Sequence, residues 1–163
     1  MSGVDFRIGN GIDFHRFSDD PDRPLILGGV PIPAGPALAG HSDADIILHA
    51  VADAILGALG LGDIGEFFPD SDPLLKNMDS RLIIGHSMEA ARKRGYRIGN
   101  CDVTYIGEIP KITPHKGTIR ASLATLMEIA EERVCVKGTT VEKMGAIGRR
   151  EGAGCIASVL LIG

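Results

Sequence analysis

The chain has 163 residues, 44% of them hydrophobic and 23% charged, with a formal net charge of −4. That is the size of one domain with a real core, which excludes a disordered chain. The acidic balance gives no electrostatic footprint for nucleic acid or an anionic membrane, and 4% aromatics with no Trp argue against a stacking platform for single strands.

Residues 5–15 carry Phe6, Ile8, Ile12 and Phe14 in a strand pattern, with glycines that bend or bulge it. Residues 24–33, PLILGGVPIP, read as two short strands turning at Gly28-Gly29. After the loop AGPALAG, Ser42 reads as an N-cap with Asp45 at the third helical position, an acidic variant of the capping box. The helix it opens ends at Gly57–Gly60. LGDIGEFFPDSDP is a loop rich in Gly, Pro and Asp, long enough to suggest a task of its own. Residues 80–95 form a second helix with a Gly stop, and 96–109 a strand. A third helix covers 113–132, with Thr113 as N-cap and Pro114 at its first position. RVCVKGTTVE and CIASVLLIG close the chain as strands. The last is apolar nearly throughout, which predicts a central strand covered on both faces. Strands, then helices alternating with strands, make an α/β (α+β) sandwich in a single domain over 1–163.

Cys101, Cys135 and Cys155 are widely spaced among apolar residues and read as core thiols of a reducing compartment. MSGVDFRIG lacks the basic start and apolar run of a signal peptide, and Asp45, His49 and Asp53 interrupt the most apolar stretch. The expectation is a soluble, cytoplasmic protein.

Asp13 and His15 are two apart in a strand and therefore share a face. Asp45, His49 and Asp53 fall at i, i+4 and i+8, one face of an otherwise apolar helix. The aspartates read as a solvated stripe, whereas His49, among Ile46, Ile47, Leu48 and Val51, does not. Asp13, His15 and His49 together supply O, N and N, the three-ligand layout of a catalytic zinc site with an open fourth position. Spacing alone leaves a structural histidine equally open. His41 and Ser42 stand at the mouth of the same helix, where backbone N–H groups favour an anion; the plain reading is a cap beside an exposed histidine.

In KGTTVEK, Lys137, Thr139, Thr140, Glu142 and Lys143 suit a phosphate shared with a hard cation, or form a helix cap. GEIPKITPH offers backbone between two prolines, with Lys111 and His115 near, as a nucleotide loop or an ordinary connection. His86, on the second helix without partners, receives no role.

RIGNGIDFHRF, GHSDADIILHAVADAILGALGLGDIGEFFPDSD, GEIPKITPH and VKGTTVEKMGAIGRREG, in that order, resemble the 2-C-methyl-D-erythritol 2,4-cyclodiphosphate synthase family from about residue 6 to the C-terminus. The resemblance implies cyclisation of 4-diphosphocytidyl-2-C-methyl-D-erythritol 2-phosphate with release of CMP, in non-mevalonate isoprenoid precursor synthesis. It implies a four-stranded mixed sheet with helices on one face, the sheets packed about the axis of a homotrimer with active sites between subunits. Asp13, His15 and His49 fall on ligands of one divalent cation per subunit, usually zinc. Glu142 falls on the ligand of a second, magnesium or manganese, that comes with the substrate diphosphate. His41 and Ser42 match a phosphate-binding pair, and His41 and Thr140 the stabilisers of the transition state. Asp63, Ile64 and Gly65 match the segment that binds the erythritol hydroxyls; Phe68, Pro69, Asp70, Ser71 and Asp72 match a mobile loop beyond it. Gly107, Glu108, Ile109, Pro110, Lys111, Ile112 and Thr113 match the cytidine pocket, where main-chain groups read the base. Phe14, Thr139 and Val141 join the substrate set beside their neighbours, as do Ala146 and Arg149.

The chain departs from the family in places. Asn10 stands where many members have His, and Ala146 where many have Phe. Members with that Phe and an Arg hold an isoprenoid diphosphate inside the trimer; Arg149 is present, and Ala146 weakens the reading. Two other functions use the same residues: a metal-dependent phosphohydrolase, or a non-catalytic isoprenoid-diphosphate-binding trimer. No membrane and no nucleic acid enters any of the three.

Overall fold

The alternation at Phe6, Ile8, Ile12 and Phe14 becomes β1 (Phe6–Arg16) in the computed structural model, which describes residues 3–69 and 71–163. β1 is followed by a hairpin of β2 (Ile26–Leu27) and β3 (Val30–Pro31), whose turn needs the positive φ of Gly28 (63°) and Gly29 (76°). Next come α1 (Ile46–Ala58), α2 (Arg81–Lys93), β4 (Arg97–Ile106), α3 (Lys116–Leu126), β5 (Val134–Thr139), the short α4 (Gly145–Gly148) and β6 (Gly152–Ile162). The main sheet runs β1-β6-β4-β5, with β1 and β4 antiparallel to β6 and β5 parallel to β4. The sheet is thus mixed and four-stranded, with α1, α2 and α3 on one face.

How α1 lies on that sheet decides where the site forms. On the helix-facing side of β1, a Cβ at Gly9 would sit 1.9 Å from the Ala54 carbonyl oxygen, and one at Gly11 1.9 Å from that of Ala50. Only glycine lets a helix backbone rest directly on a strand backbone there. The face of α1 that carries His49 is thereby lowered onto Asp13 and His15, the next two positions on the same side of β1.

β6 is central, as its composition predicts, but within one chain only one of its faces is covered. Ala157, Val159 and Leu161 are buried under the helices, while Ile156 is exposed. The same bare face carries Phe6, Ile8, Ile12 and Phe14 of β1, Ile8 being 77% exposed. Exposed apolar strips of this kind mark interaction sites.

Helix ends follow the sequence where glycine marks them. Gly60 and Gly95, with φ of 68° and 79°, follow the C-caps of α1 and α2 and close Schellman turns, through Leu61 N to Leu56 O (3.0 Å) and Tyr96 N to Ala91 O (3.0 Å). α3 ends at Leu126, six residues before the predicted limit. Ile129 N to Ala124 O (3.0 Å) makes the same turn with Glu128 (φ 57°) in the glycine position. A glutamate carries no such signal, so the stop was invisible. The predicted start shifts too: Thr113–His115 is a 3₁₀ turn, and α3 begins at Lys116. Of the three thiols, Cys101 and Cys155 are buried, and burial pushes Cys101 up to about 12. Cys135 is exposed, on an edge strand facing away from the helices, which corrects the core reading for that residue.

Candidate metal centre and active site

α1 begins three residues later than predicted, because Asp45 is its N-cap and not its third residue. The Asp45 carboxylate is fully buried and accepts from Ile47 N and Leu48 N, both at 3.1 Å, and from Gly28 N (2.8 Å) and Gly29 N (2.6 Å) in the β2–β3 turn. Burial pushes its carboxyl up to about 6, against the N–H bonds from Gly29, Leu48 and Gly28. Ser42 caps only locally, its Oγ accepting from Ala44 N at 3.2 Å. The solvated stripe read from Asp45 and Asp53 is therefore wrong. Asp53 is half-buried, and its Oδ1 accepts from Ile64 N at 2.8 Å, fastening the following loop to α1.

The predicted trio assembles. Asp13 Oδ2 lies 2.9 Å from His15 Nε2 and 3.0 Å from His49 Nδ1, and these two nitrogens are 3.3 Å apart. Partial burial pushes the Asp13 carboxyl up, but wherever the His15 and His49 rings carry a second proton, their hydrogen bonds and charge pull it well below the usual carboxylate range. The outer contacts fix each ring. His15 Nδ1 is 2.6 Å from the Ala39 carbonyl, which only accepts, so Nδ1 carries the proton and Nε2 the lone pair. Ser80 Oγ donates to Asp43 Oδ1 and therefore accepts from His49 Nε2 at 2.9 Å, which leaves the His49 lone pair on Nδ1. With neutral rings, two lone pairs and a carboxylate oxygen converge with no donor among them. Such a donor set fits a divalent cation, and rings held by a carbonyl and by a hydroxyl–carboxylate pair are what metal-binding histidines carry. Among the described residues this is the one group of three or more such side chains with ligand atoms within 4.8 Å of one another.

The surroundings are less as expected. His41 Nε2 donates to the Asp72 carbonyl (3.0 Å), tying the helix mouth to the loop. Ser42 Oγ lies 3.2 Å from His49 Nε2. His41, Ser42, His49, Ile64 and Phe68 line one small pocket. Asp63 caps a 3₁₀ turn, its Oδ1 accepting from Gly65 N at 2.9 Å. Pro69, Ser71 and Asp72 continue the loop, and Asp72 Oδ1 accepts from Leu74 N; Asp70 lies outside the described residues. His86 does have partners, correcting the sequence reading: its ring packs 4.8 Å from Phe67 and 5.4 Å from Phe68, anchoring the loop to α2.

A second pocket, of about 380 Å³, is lined by Gly107, Glu108, Pro110, Lys111, Ile112 and Thr113 with Thr139 and Thr140. Glu142 sits beside it, its Oε1 accepting from Thr140 Oγ1 at 2.9 Å. The two pockets share no lining residue. Phe14 and Ala146 line a third, near His15; Arg149 is paired with Glu151 at 2.7 Å. The Asp43–Ser80 contact and the roles of Asp53, Ala39 and His86 were missed, since each depends on segments far apart in sequence.

The geometry has close relatives. A family model described as the YgbB family matches residues 6–162. A 2-C-methyl-D-erythritol 2,4-cyclodiphosphate synthase of Leptospira borgpetersenii is 56% identical over 157 residues, 96% of this chain and 98% of that protein. One from Geobacillus kaustophilus is 51% identical, over 96% of this chain and 98% of that protein. Among solved structures, IspF of Plasmodium falciparum in a CDP complex is similar with a TM-score of 0.84 and 39% identity, covering 96% of each chain. The bifunctional IspDF from Campylobacter jejuni has a TM-score of 0.92 and 40% identity over 98% of this chain, which spans 43% of that longer one. Matched by the family model over nearly its whole length, and more than half identical to a relative end to end, the chain belongs to the YgbB family.

Proposed function

We propose that the chain is a 2-C-methyl-D-erythritol 2,4-cyclodiphosphate synthase, cyclising 4-diphosphocytidyl-2-C-methyl-D-erythritol 2-phosphate and releasing CMP. The observation that carries it is the converging Asp13–His15–His49 set, in a chain 56% identical to a synthase of that name. The substrate's 2-phosphate oxygen attacks the β-phosphorus, the bond from that phosphorus to the bridging oxygen breaks, and CMP departs with the electron pair. The nucleophile belongs to the substrate, so no side chain need be activated; the work is positioning and neutralising charge.

Asp13, His15 and His49 hold one divalent cation, zinc by the N,N,O donor set, and Glu142 a second, magnesium or manganese. When bound, such cations supply Lewis-acid charge neutralisation on a diphosphate. His41 and Thr140 donate toward the phosphoryl oxygens, with Ser42 beside them. Asp63, Ile64 and Gly65 hold the erythritol hydroxyls, and main-chain groups of Gly107 to Thr113 hold the cytosine. The CDP-bound relative supports a cytidine ligand.

The assembly we propose is a homotrimer with the active site between subunits. Two half-sites that share no lining residue, and a bare apolar sheet face, support it. Ile12→Asp brings a carboxylate onto that face, and light scattering is expected to show a loss of trimer; an unchanged trimer would remove the sheet face from the interface. No helix among the described residues is long and apolar enough to cross a membrane; with bacterial relatives, this supports a cytoplasmic enzyme. Arg149, the residue the resemblance offers to an isoprenoid diphosphate, is engaged by Glu151 at 2.7 Å, which disfavours that ligand.

Incubation with the cytidine substrate is expected to yield CMP and a cyclic diphosphate. Free phosphate with a linear product would establish a phosphohydrolase instead. Glu142→Gln is expected to lower turnover roughly tenfold or more while leaving zinc content intact. A matched loss of both would contradict two separate cation roles.

A further inference from the structure

Glu108 lies in the segment that lines the second pocket, yet its carboxylate is committed elsewhere. Oε1 accepts from Val141 N at 3.3 Å and from Lys143 N at 3.0 Å. The turn it grips is unusual, because Glu142 and Lys143 both take positive φ, 53° and 63°, with Gly145 following at 65°. Consecutive non-glycine residues hold the left-handed region only where their surroundings fix them. Amides of alternate residues pointing into one concavity form an anion-binding nest, and here the anion is Glu108. The same turn carries the two groups assigned to the diphosphate: Thr140 Oγ1 donates to Glu142 Oε1 at 2.9 Å and accepts from Glu142 N at 3.3 Å. Gly107 N donates to the Thr139 carbonyl at 3.0 Å, so the loop that holds Glu108 and the strand end that holds Thr140 are joined at both sides of the contact.

We propose that Glu108 is a positioning residue that clamps the 140–143 turn and so presents Thr140 and Glu142 to the diphosphate. The inference rests on the function proposed above. It assigns the Glu108 side chain a task distinct from base recognition, although the residue is among those that line the second pocket. Because the clamp works by accepting two N–H bonds, an amide oxygen at the same reach replaces it, whereas a methyl group does not.

The test compares Glu108→Ala with Glu108→Gln through kcat, KM, CMP affinity by calorimetry, and hydrogen exchange at the amides of Val141 and Lys143. Glu108→Ala is expected to lower kcat about 100-fold, the scale of an ångström-sized misplacement, with CMP affinity changed by less than about threefold. Exchange protection at both amides is lost. Glu108→Gln is expected to restore protection and to keep kcat within about fivefold of wild type. The proposal is overturned by wild-type kcat in the alanine variant, by a glutamine variant as impaired as the alanine one, or by CMP affinity falling in step with kcat. Should Glu108→Ala fail to fold, Glu108→Asp, one methylene short of the turn, is expected to show the same pattern; wild-type kcat and protection there overturn the clamp. If the wild-type protein does not convert the cytidine substrate, the proposed function fails, and the clamp is decided by exchange alone: unchanged protection in the alanine variant refutes it.

Discussion

Replacing His49 with alanine is expected to remove bound metal and turnover together while the chain stays folded. The ring is nearly buried and offers Nδ1 to Asp13 and His15, with Nε2 held by Ser42 and Ser80. Alanine deletes one of three donors, and two donors do not hold a divalent ion against water. Alanine is also the best residue for a helix interior, so α1 keeps its local stability. The vacated hydroxyls lose one partner each, at about 1–3 kcal/mol in total, and Ser80 keeps its bond to Asp43. Turnover should fall by more than about 100-fold, beyond what loss of a supporting partner costs. Elemental analysis checks the ligand role directly, and a variant with wild-type metal content would refute it. Chelation of the wild-type enzyme should reproduce the variant's inactivity, and added zinc should rescue only the wild type.

The second large effect is on stability. Asp45→Ala leaves four amides without their acceptor: Gly28 N, Gly29 N, Ile47 N and Leu48 N. Losing the cap of α1 costs about 1 kcal/mol, and stranding buried donors in the hairpin turn adds roughly 2 kcal/mol more. A total of about 3 kcal/mol lowers the thermal midpoint by roughly 6–12 °C in a domain of this size. Asp45→Asn keeps an acceptor for the helix amides but turns an N–H₂ toward the hairpin, so it should fall between. A midpoint within about 2 °C of wild type in the alanine variant would show that the contact with the hairpin is not what holds α1 in place.

Asp45 also shows why part of the fold was legible and part was not. The helix, the hairpin and the strands were readable because period and punctuation are local signals. The N-cap was misplaced by three residues because both Ser42 and Asp45 are good caps. What chose between them was Gly28-Gly29, an element away. Glu128 ended α3 in a position where glycine is the usual sign, and nothing local announces that substitution. In the site, Asp13 and His15 were paired by strand geometry, and His49 followed from an apolar helix with one misplaced polar residue. The ring orientations were out of reach, since they depend on Ala39 and on Asp43 reaching Ser80 across 37 positions.

The closeness of α1 to β1 has a wider consequence. The gap between Asp13 and His49 is calibrated by two hydrogen atoms, those that stand where Gly9 and Gly11 would otherwise carry methyl groups. An alanine at either position must drive the helix outward, and the nitrogen of His49 leaves with it. Residues with no chemistry of their own therefore set the aperture of the cation site. In a survey of inactive variants they would sort with the ligands, and not with the core.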